Sequence, residues 1–169
     1  MIGVECSGGI ATLTLRRPQR RNALDEGMIR DLSAALAAAD ADAHCRCLVL
    51  KGAGGTFCSG RDLAAAAGLH GLAPVLEYDE AYTQIFLRLA GLTKPSVAVV
   101  QGYAVAGGFT LAMGCDFVLA EAGAQFGALE MKLGFPAALN SAVLAHKTLP
   151  RNALELLLSS GTHSAKRLH

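Results

Sequence analysis

Gly102-Tyr103-Ala104-Val105-Ala106-Gly107-Gly108-Phe109-Thr110-Leu111-Ala112-Met113 is the stretch on which the reading of this chain turns. It follows Ser96-Val97-Ala98-Val99-Val100, a run apolar almost throughout, as expected of a strand covered on both faces. Gly107-Gly108 then opens a helix that runs through Cys115. Where a strand gives way to a helix at a glycine turn, the first helical N–H groups have no partner inside the helix. They can hold a negatively charged oxygen, assisted by the helix dipole. A second turn of the same kind is Phe57-Cys58-Ser59-Gly60-Arg61-Asp62-Leu63. Two such turns facing one another make an oxyanion hole. Simpler readings compete, since a lone glycine turn is usually only a turn. Gly55 and Gly60-Arg61 have P-loop spacing, but Arg61-Asp62 stands where phosphate and magnesium binding need Lys-Ser/Thr. Gly52, Gly54 and Gly55 do not make a dinucleotide fingerprint either.

Outward from these turns, strands alternate with helices. Val4–Ser7 and Ile10–Leu15 read as a hairpin around Gly8-Gly9. Asp25 is an N-cap for a helix whose buried face is Met28, Leu32, Ala35, Leu36 and Ala39, ending near residues 40–42. Cys47–Leu50 is a buried strand. A helix over residues 77–90 follows, stopped by Lys94-Pro95. Phe117–Ala120 reads as another buried strand. Helices are expected over 139–147 and 150–159, the second with Pro150 at its first position. Gly161 suits a helix C′ position, and Ser164 the N-cap of a further helix that the sequence leaves only five residues to form. The pattern is α/β with a largely parallel sheet, in a single domain over residues 1–169.

Composition narrows the function. Apolar residues make up 52% and charged residues 17%, which excludes a disordered chain. A net charge of +1 and the lack of tryptophan argue against a nucleic-acid surface. No apolar run approaches a membrane span, and Met1-Ile2-Gly3-Val4-Glu5 does not open like a signal peptide, so a cytoplasmic protein is expected. Five cysteines suit no disulfide framework. His44, Cys45 and Cys47 lack a second ligand pair at zinc spacing, so these cysteines read as small apolar fillers and no metal site is expected.

Four blocks, in order, carry a resemblance. They are Arg17-Pro18 with Arg21-Asn22-Ala23-Leu24, then Phe57 to Leu63, then Gly102 to Met113 with Cys115-Asp116, and finally Ala124-Gln125-Phe126-Gly127-Ala128-Leu129-Glu130 with Leu133-Gly134. Together they resemble the crotonase (enoyl-CoA hydratase/isomerase) superfamily, over nearly the whole chain. The resemblance implies the ClpP/crotonase spiral core of ββα units. It implies an acyl-CoA enzyme that stabilises a thioester enolate, with the backbone N–H groups of Arg61 and Gly107 as oxyanion donors and Glu130 as the catalytic carboxylate. Arg20, Arg21, Ala23, Ser59, Asp62 and Leu63 fall on the coenzyme A site. Coenzyme A enters as part of the substrate, and no permanently bound cofactor is expected. A homotrimer or hexamer is implied wherever the full family fold is present. The Arg61 guanidinium could reach a coenzyme A phosphate or lie solvated, and Arg17, Arg20 and Arg21 either contact those phosphates or form a solvated turn.

The chain departs from the family pattern twice. Hydratases of the family hold a water between two glutamates, and the first of these positions falls on Thr110. A threonine hydroxyl is no general acid or base near neutral pH, so it is expected to hold a water or pack in its helix. One carboxylate suffices for moving a 3-enoyl double bond to the 2-position. Glu130 would need a raised pKa from an apolar pocket, for which Leu129, Met131 and Phe135 are suitable. Asp62 is expected to cap a helix, and Glu77, Asp79 and Glu80 to be solvated. Second, family members continue past residue 169 with helices that cover the site and help form trimers, so a shortened core with exposed apolar surface is expected. The readings left open are an enoyl-CoA isomerase, a hydratase, or a non-catalytic chain that only binds acyl-CoA or crotonase subunits.

Overall fold

The computed structural model describes residues 1–168. The elements, in order, are strands β1 (Ile2–Ser7) and β2 (Ile10–Leu15), helix α1 (Glu26–Ala41), β3 (Cys47–Gly52), α2 (Leu63–Ala67), α3 (Leu72–Ala90), β4 (Ser96–Val100), β5 (Tyr103–Val105), α4 (Gly107–Gly114), β6 (Phe117–Ala120), β7 (Gln125–Gly127), α5 (Ala138–Lys147), α6 (Pro150–Leu158), β8 (His163–Ser164) and α7 (Ala165–Leu168). Short 3₁₀ turns stand at Pro18–Arg20 and Glu130–Leu133.

The first sheet runs β1-β2-β3-β4-β6, with β1 antiparallel to β2 and every other neighbour parallel. Register explains its core. Leu13, Leu50, Ala98 and Val118 form one row across the sheet, and the first three are fully buried. They meet Met28, Ile29, Leu32 and Leu36 of α1 and Ile85 and Phe86 of α3 in one core. Asp25 accepts from Met28 N at 2.9 Å and caps α1 as its sequence position requires. A second, smaller sheet sets β7 between a parallel β5 and an antiparallel β8.

Several sequence expectations change. The alternate row, Thr12, Val49, Val97 and Phe117, occupies the other face of the sheet. Val97 and Val99 are only half-buried, so β4 is fully covered on one face rather than two. Phe117 and Leu119 on the edge strand β6 are exposed rather than buried. A run of four apolar residues does not distinguish an interior strand from an edge. The helix expected over 77–90 starts earlier, at Leu72, because Pro74 sits in its first turn, where no N–H is needed. Helix α2 and strands β5, β7 and β8 are too short to show a period. Gly161 is not the residue that turns the chain after α6; Ser160 is, at φ 47°. Ser164 immediately precedes α7 and lies in β8.

Candidate active site

The loops after β2, β3 and β4 leave the same end of the sheet, the carboxyl end of its parallel strands, where α/β proteins form their binding crevices. Asn22 ties two of them together. It is fully buried, its side-chain amide donates to Ala53 O at 2.9 Å and Thr56 O at 2.7 Å, and its oxygen accepts from Arg17 N at 2.9 Å. The segment 57–62 then threads between its neighbours. On one side Ser59 N donates to Arg21 O, Leu24 N to Gly60 O and Asp62 N to Leu24 O. On the other side Cys58 N donates to Tyr103 O and Val105 N to Cys58 O.

This pattern settles where the Arg61 N–H goes. Asp62 N–H and Gly60 C=O point to Leu24, and in extended backbone the N–H between them points the opposite way, toward β5 and α4. It has no acceptor among the described residues. Gly107, the first residue of α4, likewise has an N–H without an acceptor. Gly60, at φ 90°, brings the two turns into contact, since a Cβ there would lie 2.7 Å from the Gly107 nitrogen. The two turns of the sequence reading therefore do face one another. Gly107 has its own reason to be glycine, because a Cβ on it would overlap the Tyr82 hydroxyl.

Glu130 opens the 3₁₀ turn after β7. Its Oε1 accepts from Asn140 Nδ2 at 2.8 Å, while Oε2 is buried with no partner. Burial pushes its carboxyl above the usual carboxylate range, partly offset by a bond to its own backbone and by the Asn140 amide. The pocket is not the expected one. Met131 and Phe135 are exposed, and only Leu129 is half-buried. Asn140 was not singled out in the sequence, because a polar residue early in a helix resembles a solvated one. In α5 it is 1% exposed and also donates to Ala106 O at 3.2 Å.

Thr110 is buried, and its hydroxyl turns back to Ala106 O at 3.4 Å, the helix-packing outcome of the two expected for it. Cys58 is also buried, its thiol pushed up to about 12 by desolvation, so it is no thiolate at neutral pH.

The basic residues separate. Arg17 is held between Asp62 at 2.6 Å and Asp25 at 3.2 Å and belongs to the scaffold rather than to a phosphate contact or a solvated turn. Arg20 and Arg21 are exposed beside the 57–62 segment, with Ala23 buried, Ser59 half-buried and Leu63 exposed. Asp62 caps α2 through Ala64 N and Ala65 N, and its bond with Arg17 holds its carboxyl below the usual range. The Arg61 guanidinium lies 4.3 Å from the Tyr78 ring centroid and pairs with Asp79. Its side chain is thus committed to α3 rather than solvated, and Asp79 is not free as expected, whereas Glu77 and Glu80 are exposed. No described helix is long and apolar enough to cross a membrane.

Comparison with known proteins identifies the family of the chain. The family model for enoyl-CoA hydratase/isomerase matches residues 5–168. A probable enoyl-CoA hydratase of Rhizobium meliloti (strain 1021) is 37% identical over 92% of this chain and 60% of its own length. The 1,2-epoxyphenylacetyl-CoA isomerase of Escherichia coli (strain K12) is 36% identical over 95% of this chain and 63% of its own. The crystal structure of an enoyl-CoA hydratase from Mycobacterium smegmatis superposes with a TM-score of 0.93 at 29% identity, covering 98% of this chain and 65% of that one. The chain spans about three-fifths of the length of the curated relatives it matches. With its α/β core, its ordered sequence blocks and these relatives in agreement, the chain belongs to the enoyl-CoA hydratase/isomerase family of the crotonase superfamily.

Proposed function

We propose that this chain binds a fatty-acid-type acyl-CoA thioester and runs enolate chemistry on it, with Glu130 as base and the N–H groups of Arg61 and Gly107 as the oxyanion hole. The observation that carries the reading is Glu130 Oε2. Among the described residues it is the one carboxylate oxygen that is buried and without a partner, and the raised pKa suits a group that must both take and return a proton. The reaction it favours is isomerisation. Glu130 removes a proton from C2 of a 3-enoyl-CoA, the electron pair moves onto the thioester oxygen, and the two N–H groups stabilise the charge there. Removing one such donor typically costs about 3 kcal/mol of barrier. The same carboxyl returns the proton at C4, leaving the double bond between C2 and C3. Hydration would need a second group to work on the water, and the Thr110 hydroxyl is engaged with Ala106 O.

Arg20 and Arg21, exposed and with no carboxylate partner among the described residues, suit the phosphates of coenzyme A, with Ala23, Ser59, Asp62 and Leu63 along the same loops. Coenzyme A is here a carrier belonging to the substrate rather than a resident cofactor. A cytoplasmic enzyme assembled as a trimer or hexamer fits the family. Thr110 in place of a carboxylate also favours a second reading, a chain that binds acyl-CoA or crotonase subunits without turning substrate over. Mass-resolved product analysis with a 3-enoyl-CoA separates these. Unchanged mass with a conjugated double bond supports the isomerase, and gain of one water supports a hydratase. Binding with no product puts the non-catalytic reading first.

A further inference from the structure

Tyr82 lies on the inward row of α3 with Tyr78, Ile85, Phe86 and Leu89. The residue is 7% exposed. Its ring packs edge-on against Phe86 with centroids 5.2 Å apart, and the Arg61 guanidinium lies 5.8 Å from its centre. The hydroxyl ends in the space that a Gly107 side chain would fill, close to the Gly60 backbone on the facing turn. It has no hydrogen-bond partner among the described residues. Tyr78, one turn earlier, differs: its hydroxyl donates to Leu24 O at 2.8 Å.

The ring is buried, but the hydroxyl is not among the enclosed polar atoms that lack a partner, so its tip stays open to a hydrogen-bond partner entering from the site. Packing alone does not call for the oxygen, since Phe86 fills the same core without one. The polar atom is thus placed beside the contact between the Gly60 and Gly107 turns, whose Arg61 and Gly107 N–H groups lack acceptors among the described residues.

We propose that the Tyr82 hydroxyl is a third hydrogen-bond donor to the carbonyl oxygen of the substrate thioester, beside the N–H groups of Arg61 and Gly107. The proposal rests on the acyl-thioester reading above. Burial pushes the phenol well above its ordinary pKa, and Cys58 and Glu130 act in the same direction against Arg61. The group therefore stays protonated and serves as a donor, not as a base. A neutral donor gains most when the oxygen carries most charge, so its effect falls on the enolate-like transition state more than on the bound thioester.

The probe is an electron-rich arylacryloyl-CoA, whose absorption moves to longer wavelength when its carbonyl accepts hydrogen bonds. The purified chain should shift it. Tyr82→Phe should bind it within about threefold, show a smaller red shift, and lose about 100-fold in kcat with KM little changed, the loss typical of one oxyanion donor. Tyr78→Phe, losing a hydroxyl from the same helix, should lower thermal stability and leave the red shift intact. An unchanged shift in Tyr82→Phe overturns the proposal. So do tighter binding and faster turnover, which would mean that the hydroxyl occupies the place of the substrate oxygen. If the unaltered chain does not bind the probe at all, the acyl-thioester reading falls and takes this inference with it.

Discussion

Glu130→Gln tests the site through stability as well as turnover. Burial raises the Glu130 carboxyl above its ordinary value of 4.5, so the folded chain holds that proton more tightly than the unfolded chain does. The folded state then binds more protons between the unfolded and folded pKa values. Stability falls as pH rises from about 4.5 through the folded value, by at most about 1.4 kcal/mol per pH unit. Glutamine does not titrate. It keeps an oxygen to accept from Asn140, at the position where Glu130 Oε1 lies 2.8 Å from Nδ2. Its other atom leaves a neutral amide, rather than a charged oxygen, unpaired and buried, which costs less. The two proteins should differ least near pH 4.5, and the variant should become the more stable one as pH approaches 7. In a chain of this size each kcal/mol moves Tm by about 2–4 °C, which calorimetry across that range resolves. Turnover of a 3-enoyl-CoA should fall by about 10²–10⁴-fold while acyl-CoA binding persists. A Tm difference that does not widen between pH 4.5 and 7 would refute the desolvated-carboxylate argument, and preserved turnover would refute the assignment of the base.

Asn140→Ala removes both bonds of a buried amide and should destabilise the chain by about 2 kcal/mol. Because Asn140 lowers the Glu130 pKa, its loss should move the acidic limb of the pH–rate profile to higher pH. Ala106→Gly should stabilise by about 1 kcal/mol, read as a shifted denaturation midpoint at constant slope. It relieves an alanine held at φ 51°, ψ −126°, against the extra unfolded-state freedom of glycine. Arg17→Met breaks pairs to Asp62 and Asp25 and should cost about 3 kcal/mol at pH 7. Arg17 depresses the Asp62 carboxyl below 3.8, so that stability is present above this value and is lost as pH falls below it. The gap between Arg17→Met and the parent chain, measured by denaturant titration, should therefore shrink in acid.

What the sequence disclosed follows from where the physics is local. The cap at Asp25 and the apolar stripe of α1 act within a few residues, so their signals stand in the sequence, and Gly60 and Gly107 are legible as turn residues even though the atoms that require them, the Gly107 nitrogen and the Tyr82 hydroxyl, are distant in the chain. The four blocks also pointed to Glu130 and to the N–H groups of Arg61 and Gly107, which have no acceptor among the described residues. The rest depends on distant partners. Nothing near Arg17 announces Asp62, 45 residues away, and nothing near Arg61 announces the ring of Tyr78. Phe117 and Leu119 read as core because their strand is apolar, while only the order of strands reveals that β6 is an edge. Met131 and Phe135 flank Glu130 in sequence, but a 3₁₀ turn carries them outward, and the side chain that engages Glu130 comes from α5.

Asn140 bears on both halves of the candidate chemistry at once. The carbonyl of Ala106 accepts from Phe109 N at 2.9 Å, Thr110 N at 3.1 Å, Asn140 Nδ2 at 3.2 Å and the Thr110 hydroxyl at 3.4 Å. That carbonyl and the Gly107 N–H belong to one peptide unit, which is planar and trans, so fixing the oxygen aims the N–H in the opposite direction. The same amide nitrogen of Asn140 holds Glu130 Oε1 and leaves Oε2 free. One residue therefore orients both the Glu130 carboxyl proposed as the base and the Gly107 N–H proposed as an oxyanion donor, and their relative placement does not depend on two independent loops. Thr110, where the sequence resemblance implies a carboxylate in hydratases, takes part in this anchoring through its N–H and hydroxyl. Under the proposed isomerase reading, in which a single carboxylate moves one proton while the enolate is held, a shared anchor for Glu130 and the Ala106–Gly107 peptide keeps the two groups in register.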